Sequence, residues 1–319
     1  MRDQLGREID YMRISLTDRC NLRCGYCMPR CGVPSVPHEM ILRFDEIIRL
    51  VNIFCSMGVK NVKITGGEPL VRKNASALIG EMKSISGIEK VTMTTNGILL
   101  SENLEALAEA GLDGINISLD TLNRNKYLKI TGSDGLDTVL KAIDRCRAFP
   151  QIKLKINTVT MADYNRDEIC ALADFAADCG ASIRFIEMMP IGLGAGFDGY
   201  SQDEIIAALE EAYGPAKIIN EKVGSGPAQY FEFEGYRGRV GFISPMSHKF
   251  CQSCNRIRLT SEGLLKPCLG SNEGIDLRKP LREGLTDEKL ADIIKQGIYR
   301  KPAGHCFPAT NSLMSKIGG

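Results

Sequence analysis

The first 190 residues alternate short runs of β-branched and apolar residues with longer stretches in which apolar positions recur at a helical period. Between the first two runs, the helical pattern begins at Asp45 and ends just before Gly58, which are residue types preferred at helix ends. This alternation predicts repeated parallel βα units. The six predicted strands begin near Tyr11, Val59, Lys90, Gly114, Lys153 and Ser182.

Repeated βα units favour an α/β fold of the TIM-barrel type, complete or partial, with its chemistry at the carboxyl ends of the strands. An open, doubly wound sheet is the structural alternative. After residue 190 the pattern changes to a glycine-rich connection, a helix over 202–214 and an antiparallel pair over 228–244. We predict a partial barrel over residues 1–200 and a C-terminal region over 201–319 that covers the barrel mouth.

Composition excludes some classes of function. The net charge of +1, with 25% charged residues, gives none of the basic excess that a general nucleic-acid binder carries. The N-terminus lacks an apolar signal segment, and no apolar run approaches the ~18 residues of a membrane span. We therefore predict a cytoplasmic protein without nucleic-acid or membrane partners, whose twelve cysteines are thiols or metal ligands rather than disulfides.

Six cysteines form two groups of three, one near each end of the chain. Three thiolates suit a 4Fe-4S cluster, because one iron then keeps an open position for a further ligand. A zinc site is the alternative, completed by Cys31 or His38 in the first group and by His248, His305 or Cys306 in the second. The two groups are Cys20, Cys24 and Cys27, and Cys251, Cys254 and Cys268.

Cationic side chains on the strands are predicted to face the barrel interior. Arg13 alternates with apolar Met12 and Ile14, so it points to the opposite side of the first strand. Helices cover the outer face of such a sheet, which leaves the interior as the place for strand charges. The other candidates for binding an anionic ligand are Lys63, Lys155, Arg256 and Arg258.

The spacing of the first cysteine triple, with Tyr26 before its last member, resembles that of the radical S-adenosylmethionine (SAM) enzymes. The segment "TGGEPL", Thr65 to Leu70, completes that pattern at the end of the second predicted strand. The second triple, with "CNRIRLT" between its ligands, is similar to the GTP 3',8-cyclases of molybdenum cofactor biosynthesis. This resemblance covers essentially the whole chain.

The resemblance implies two 4Fe-4S clusters, with SAM bound at the first and GTP at the second. A 5'-deoxyadenosyl radical from SAM would remove the 3' hydrogen of GTP, and the ribose radical would then attack C8 of guanine. The expected SAM contacts are Tyr26, Gly67, Ser118 and Met189. The expected GTP contacts are Arg13, Lys63, Thr94, Lys155, Arg256, Ile257 and Arg258.

The resemblance also implies which residues act in catalysis. Besides the first cysteine triple, these are Arg13, Arg256, Arg258 and the terminal Gly318 and Gly319, whose tail is expected to insert into the active site. Lys63 departs from the arginine that the family usually has, so charge is kept while bidentate geometry is lost.

The implied partners are an electron donor of the flavodoxin or ferredoxin type and, downstream, the cyclic pyranopterin monophosphate synthase. The chain would act as a monomer or a homodimer. A radical SAM peptide-modifying maturase is an alternative, although such enzymes typically carry more C-terminal cysteines. A non-catalytic zinc-binding module that docks a partner is an alternative from another class.

Overall fold

The computed structural model of the chain describes residues 1–34, 36–221, 223–271, 273–305, 307 and 313–318. Within these residues one twelve-stranded sheet follows the order β12, β11, β10, β1, β2, β3, β4, β5, β6, β9, β8, β7. The strands are β1 (Tyr11–Ser15), β2 (Asn61–Thr65), β3 (Lys90–Thr95), β4 (Gly114–Ser118), β5 (Lys153–Val159), β6 (Ser182–Ile186), β7 (Ala216–Ile219), β8 (Gln229–Phe233), β9 (Val240–Ile243), β10 (Arg256–Leu259), β11 (Leu264–Lys266) and β12 (Ile275–Asp276).

The helices cover the sheet and share its hydrophobic core. Met12 and Ile14 of β1 are fully buried in the same core as Leu50 and Phe54, which lie on the first helix. The helices are α1 (Phe44–Ser56), α2 (Ala75–Lys83), α3 (Leu100–Glu109), α4 (Arg124–Thr131), α5 (Leu136–Arg145), α6 (Ala162–Asn165), α7 (Ile169–Asp178), α8 (Gln202–Tyr213), α9 (Arg278–Arg282), α10 (Asp287–Tyr299) and α11 (Met314–Ile317). No helix in the described part of the chain is long and apolar enough to cross a membrane.

All six predicted strands are present, and five begin at the predicted residue. The second begins at Asn61 rather than Val59, because the Val59 amide donates to the Phe54 carbonyl at 3.0 Å and so belongs to the end of α1. Gly58 has φ +101°, a left-handed conformation that suits glycine and turns the chain from helix to strand.

The partial barrel is confirmed by the pairing of the strands. Eight neighbouring strands, from β10 through β1 to β6 and on to β9, pair in parallel. No hydrogen-bonded pairing joins β10 to β9 in the described chain, so the arc is not closed. The antiparallel pair β8–β9 and helix α8 lie where the sequence pattern predicts them.

The C-terminal region supplies both ends of the parallel arc, since β10 pairs with β1 and β9 pairs with β6. The domain boundary near residue 200 stays a prediction, and the sheet runs across it. Register also matters for the interior: Arg258, Arg13 and Lys63 are directly paired positions on β10, β1 and β2. Neighbouring strands in register present these three side chains on the same face.

The N-terminal segment holds the loop of the second cysteine triple through one buried arginine. Arg7 donates to the Asp3 carboxylate at 2.6 Å and to the Cys251 carbonyl at 2.8 Å. Its other terminal nitrogen donates to the carbonyls of Lys301, at 3.2 Å, and Pro302, at 2.8 Å. One guanidinium therefore joins residues from both ends of the chain, and it is only 8% exposed.

We predict that Arg7→Ala lowers the free energy of unfolding by about 3 to 5 kcal/mol, because it leaves the buried Asp3 carboxylate and three carbonyls unpaired. Urea unfolding measures the effect. Arg237→Ala is the control, since Arg237 pairs with Asp178 where both side chains are exposed, by 84% and 63%, and should change stability by less than about 1 kcal/mol. Equal stability of the two variants would show that the hydrogen bonds of Arg7 do not hold the two ends of the chain together.

Candidate active site

A cavity of about 320 Å³ lies at the carboxyl ends of the parallel strands. Both cysteine triples line it, as do the predicted SAM and GTP residues Tyr26, Gly67, Thr94, Ser118 and Met189. Within the described part of the chain, six cationic side chains line it against two carboxylates, those of Glu68 and Glu187. The cations are Arg13, Lys63, Arg184, Arg256, Arg258 and Lys301.

The loop after β1 folds its three cysteines toward one another. The Cys24 carbonyl accepts from the Cys27 amide at 2.9 Å and from the Met28 amide at 3.0 Å, which forms a tight turn. The Gly25 amide donates to the Ile130 carbonyl of α4 at 3.0 Å and anchors the turn to the barrel. All three cysteines of this loop are half-buried and line the same cavity.

Electrostatics around the first triple favour binding of a cationic group. Burial raises the pKa of the Cys24 thiol well above its usual value, and the nearby Cys27 and Asp120 raise it further. Burial likewise raises the pKa of Cys27 to about 12, with Cys20 adding to the rise. Three neighbouring thiolates would repel one another here, so deprotonation needs positive charge between them, which iron supplies.

The "GGEP" segment after β2 packs directly on the cysteine loop. The Gly67 amide donates to the Thr17 carbonyl at 2.7 Å, and the Glu68 amide donates to the Arg19 carbonyl at 2.8 Å. A Cβ atom at Gly67 would overlap the Arg19 carbonyl oxygen. Glycine is thus required here for backbone packing on the loop, in addition to any approach of a ligand.

Glu68 ties the ends of β2 and β3 together under the cavity. Its buried carboxylate accepts from the Leu70 amide at 3.1 Å, the Thr95 hydroxyl at 2.8 Å and the Asn96 amide at 2.7 Å. Burial raises the pKa of Glu68 to about 7, although these three donors oppose the rise. The Asn96 side chain in turn approaches the Cys20 sulfur at 3.8 Å, which links this network to the first triple.

Tyr26 is fixed by a polar contact and an aromatic contact. Its hydroxyl donates to Asp120 at 2.8 Å, and that carboxylate also accepts from the Val159 amide at 2.8 Å. Its ring meets Phe197 edge to face, with centroids 6.3 Å apart. Burial raises the pKa of Asp120 to about 6, opposed by these two donors. Asp120 is the last residue of "ISLD", and sequence reasoning singled out only Ser118 there.

The second triple has the opposite surroundings. Burial raises the pKa of Cys254, but the positive charges of Arg256 and Lys301 and hydrogen bonds from Arg256 outweigh it and bring the pKa to about 7. The Lys301 ammonium, on a residue only 2% exposed, donates to the Arg256 carbonyl at 2.7 Å. His305 lies beside this triple, with its Nδ1 atom 3.1 Å from the Cys251 sulfur.

Like charges crowd the interior of the barrel. Burial lowers the pKa of Lys63 well below its usual value, and neighbouring positive charge, that of Arg184 above all, lowers it further. Burial lowers the pKa of Arg13 to about 10. The Nε and Nη2 atoms of Arg184 are buried and have no hydrogen-bond partner within the residues that the structure describes. Such orphaned donors mark a site for an anion.

Sequence reasoning missed Arg184, although the signal was present. In "SIRFI" this arginine alternates with buried Ile183 and Phe185, the same pattern that identified Arg13 between Met12 and Ile14. Lys301 gave no such signal, because it follows a helix and reaches the cavity only through the fold of the C-terminal region.

Two predicted GTP contacts lie outside the cavity wall. Ile257 is fully buried in the hydrophobic core, on the face of β10 opposite Arg256 and Arg258, so its side chain is not available to a nucleotide. Lys155 donates to the Tyr230 hydroxyl at 3.1 Å, and burial lowers its pKa to about 8. Lys155 adds positive charge behind the cavity, but it does not line the wall.

The C-terminal tail enters the barrel. The Gly318 carbonyl accepts from Arg258 at 3.0 Å and from the Thr65 hydroxyl at 3.3 Å. Gly318 has φ +80°, and a Cβ atom there would lie 2.8 Å from the Cβ atom of Ser15. Glycine at this position is thus required by both conformation and space. Gly319 lies outside the described residues.

The donor sets fit iron–sulfur clusters. Within the described ranges, no three His, Cys, Asp or Glu side chains come close enough to share one metal ion. A 4Fe-4S cluster does not require this, because each cysteine binds a different iron. All eleven cysteines in the described chain are free, so both triples are available as ligands.

Comparisons with known proteins cover the whole chain. Residues 14–176 match the radical SAM superfamily, and residues 181–307 match the family Molybdenum Cofactor Synthesis C. The chain is 44% identical to the GTP 3',8-cyclase of Clostridium perfringens strain 13 and 43% identical to that of Moorella thermoacetica, with 100% of both chains covered in each comparison. Its fold is similar to the crystal structure of Streptococcus suis SuiB bound to S-adenosylmethionine, with a TM-score of 0.64 at 18% identity over 94% of this chain and 73% of that one.

We predict that Gly318→Ala displaces the tail, because alanine is strained by about 1 to 2 kcal/mol at positive φ and its methyl group meets Ser15. Amide hydrogen exchange of residues 315–317 should become about tenfold faster. Gly304→Ala is the matched control, since no atom lies within 4 Å of a Cβ built there. Unchanged exchange in Gly318→Ala would contradict the inserted position of the tail.

Proposed function

The chain belongs to the GTP 3',8-cyclase family of radical SAM enzymes, and on that basis we propose how its residues carry out the reaction. The enzyme converts GTP to (8S)-3',8-cyclo-7,8-dihydroguanosine 5'-triphosphate, the first step of molybdenum cofactor biosynthesis. One observation carries the proposal: among the described residues, both cysteine triples share a single cavity with six cationic side chains and two carboxylates.

Cys20, Cys24 and Cys27 would hold the first 4Fe-4S cluster. With SAM bound, that cluster would supply the 5'-deoxyadenosyl radical that removes the 3' hydrogen of GTP. The chain's own part would be to place SAM and to exclude water, and we assign it to four residues near strand ends that line the cavity. They are Tyr26, Gly67, Ser118 and Met189.

The buried cations would bind the triphosphate of GTP. Arg184 offers unpaired guanidinium nitrogens, and Arg13 and Lys63 lie beside one another in register. Phosphate oxygens accept charge-assisted hydrogen bonds from such groups, and their negative charge relieves the repulsion among them. Thr94 on the neighbouring strand is proposed to contact the nucleotide, whereas Ile257 and Lys155 are not in the cavity wall.

Cys251, Cys254 and Cys268 would hold the second 4Fe-4S cluster. That cluster would supply a point of attachment for the guanine base, and Arg256 lies next to this triple with its guanidinium in the cavity wall. Holding the base and the phosphates at separate points fixes the nucleotide as a rigid body. The 3' carbon and C8 then keep one relative position while the ring forms.

The tail would complete this enclosure. Arg258 donates to the Gly318 carbonyl, so part of its hydrogen-bonding capacity is already used by the chain itself. We propose that Arg258 acts by holding the tail in the barrel as well as by its charge near GTP. The catalytic role of Gly319 stays a prediction.

The remaining partners are proposals from the family alone. They are a one-electron donor of the flavodoxin or ferredoxin type and, downstream, cyclic pyranopterin monophosphate synthase. A cytoplasmic location and a monomeric or homodimeric state likewise stay predictions. The maturase alternative gains no support from SuiB, which has also been solved bound to the precursor peptide SuiA, because an identity of 18–19% shows the fold alone.

We predict that anaerobically prepared protein contains two clusters and forms the cyclised product and 5'-deoxyadenosine from GTP and SAM under reducing conditions. Cys24→Ser should abolish SAM cleavage, because it removes a ligand of the first cluster. Cys254→Ser should keep some uncoupled cleavage while forming no cyclised product. Iron and sulfide analysis with product detection checks both, and Cys31→Ser is the control. Full cyclase activity in either of the first two variants would exclude the cluster assignment.

We predict that Lys63→Met weakens GTP binding but raises the free energy of unfolding of the nucleotide-free protein. The lost charge-assisted contact is worth about 1.5 to 3 kcal/mol, which corresponds to roughly ten- to hundredfold in Kd. Stability rises because a buried cation that neighbouring cations repel is removed. Calorimetric titration and urea unfolding measure the two effects. Lys141→Met, on the exposed face of α5, should change neither, and a parallel fall in stability and affinity in Lys63→Met would contradict the proposal.

A further inference from the structure

His305 contacts the second cysteine triple, and none of the proposed SAM and GTP contacts involves it. Its Nδ1 atom lies 3.1 Å from the sulfur of Cys251, which is hydrogen-bonding distance. The ring forms part of the cavity wall and packs against Phe307, with centroids 4.4 Å apart. Its other nitrogen, Nε2, is buried and has no hydrogen-bond partner in the described chain.

The chemistry of the two partners fixes how the ring is used. A thiolate bound to iron has no proton to donate, so the contact requires the hydrogen to be on Nδ1. A neutral imidazole that donates through Nδ1 presents a lone pair at Nε2. His305 therefore offers the cavity a neutral hydrogen-bond acceptor, besides the carboxylates of Glu68 and Glu187, whereas the six cations of the described cavity wall offer only donors.

An acceptor at this place fits the base of the nucleotide better than its phosphates. Phosphate oxygens only accept hydrogen bonds, so they gain nothing from Nε2. The guanine base carries N–H donors on N1 and on its 2-amino group, and the corresponding edge of adenine has an acceptor at N1. An acceptor beside the second triple thus favours guanine, which donates an N–H to it, over adenine, which would face it with the N1 lone pair.

We propose that His305 is a positioning residue with two contacts: Nδ1–H holds the Cys251 sulfur of the second cluster, and Nε2 accepts an N–H from the guanine edge. This inference rests on the proposed function, since it assumes a cluster on Cys251, Cys254 and Cys268 and GTP in the cavity. It adds a protein residue that reads the base, and it predicts that one ring links base recognition to the cluster.

Two amide substitutions separate the two contacts. The side-chain amide of asparagine reaches the place of Nδ1, so His305→Asn keeps a donor to Cys251 and loses the acceptor in the cavity. The longer side chain of glutamine reaches the place of Nε2, so His305→Gln keeps a polar group in the cavity and loses the donor to sulfur. Each variant is the control for the other.

The first readout is the reduction potential of the second cluster, followed by electron paramagnetic resonance in protein that also carries Cys24→Ser, so that the first cluster does not contribute. Hydrogen bonds to cluster sulfurs raise the potential. His305→Gln should therefore shift it to more negative values, and His305→Asn should leave it close to that of the parent. If His305 had only a structural role, both substitutions would shift the reduction potential of the second cluster by a similar amount.

The second readout is nucleotide binding to the two-cluster protein, with ATP as the probe that shares the triphosphate but not the guanine edge. His305→Asn should weaken GTP binding about tenfold and leave the weaker ATP binding unchanged. His305→Gln should retain GTP affinity to within about threefold.

The possible failures are distinguishable. Wild-type protein without a second cluster, shown by iron and sulfide analysis, would overturn the proposed function and this inference together. A second cluster whose potential is the same in His305→Gln as in the parent would overturn the inference alone, as would unchanged GTP affinity in His305→Asn. Loss of the cluster from both variants would also overturn it, because His305 would then be a structural support.

Discussion

The site depends on positive charge buried in the middle of a barrel. Parallel register places Arg258, Arg13 and Lys63 side by side, and Arg184 adds a fourth cation with unpaired nitrogens in the described chain. Burying like charges together is unfavourable, so this arrangement persists only because the surrounding core is large and well packed. A polyanion that enters the cavity is therefore stabilised, because its negative charge relieves the repulsion among these buried cations. The chain as a whole carries a net charge of only +1, so this attraction is local to the cavity.

The two cysteine triples lie in different electrostatic surroundings, although each offers three thiols. The first has Asp120 and its own neighbouring thiols around it, and burial raises the pKa of Cys24 and Cys27. The second lies beside Arg256 and Lys301, which lower the pKa of Cys254. Nearby positive charge stabilises the more reduced, more negative state of a cluster, and negative charge opposes it. We therefore expect the second cluster to be the easier to reduce, which suits a first cluster that must be a strong reductant for SAM.

Much of this arrangement follows from local sequence patterns. Strand positions, the cysteine spacing and the inward direction of Arg13 each depend on residues close together in the chain, where periodicity is informative. Arg184 carries the same pattern and was within reach of the same reasoning. Contacts between distant segments could not be predicted this way. The hydrogen bond from Arg7 to the Cys251 carbonyl and the contact between His305 and the Cys251 sulfur each join segments at least 54 residues apart. The Gly67 contact with Arg19 likewise became visible only when two loops were packed together.

The inserted tail shows how such a cavity limits its own charge. An empty barrel with several buried cations would need counter-charge or dipoles, and the Gly318 carbonyl supplies a dipole directly to Arg258. A carbonyl oxygen is a weaker partner than a phosphate, so it neutralises Arg258 in part and leaves Arg184 for an anion. A side chain at Gly318 would collide with Ser15. Only glycine, which has no side chain, can therefore place its carbonyl dipole against Arg258. Glycine at position 318 thus meets two requirements. Its carbonyl must reach Arg258 to supply the dipole, and the residue must occupy almost no volume of the cavity.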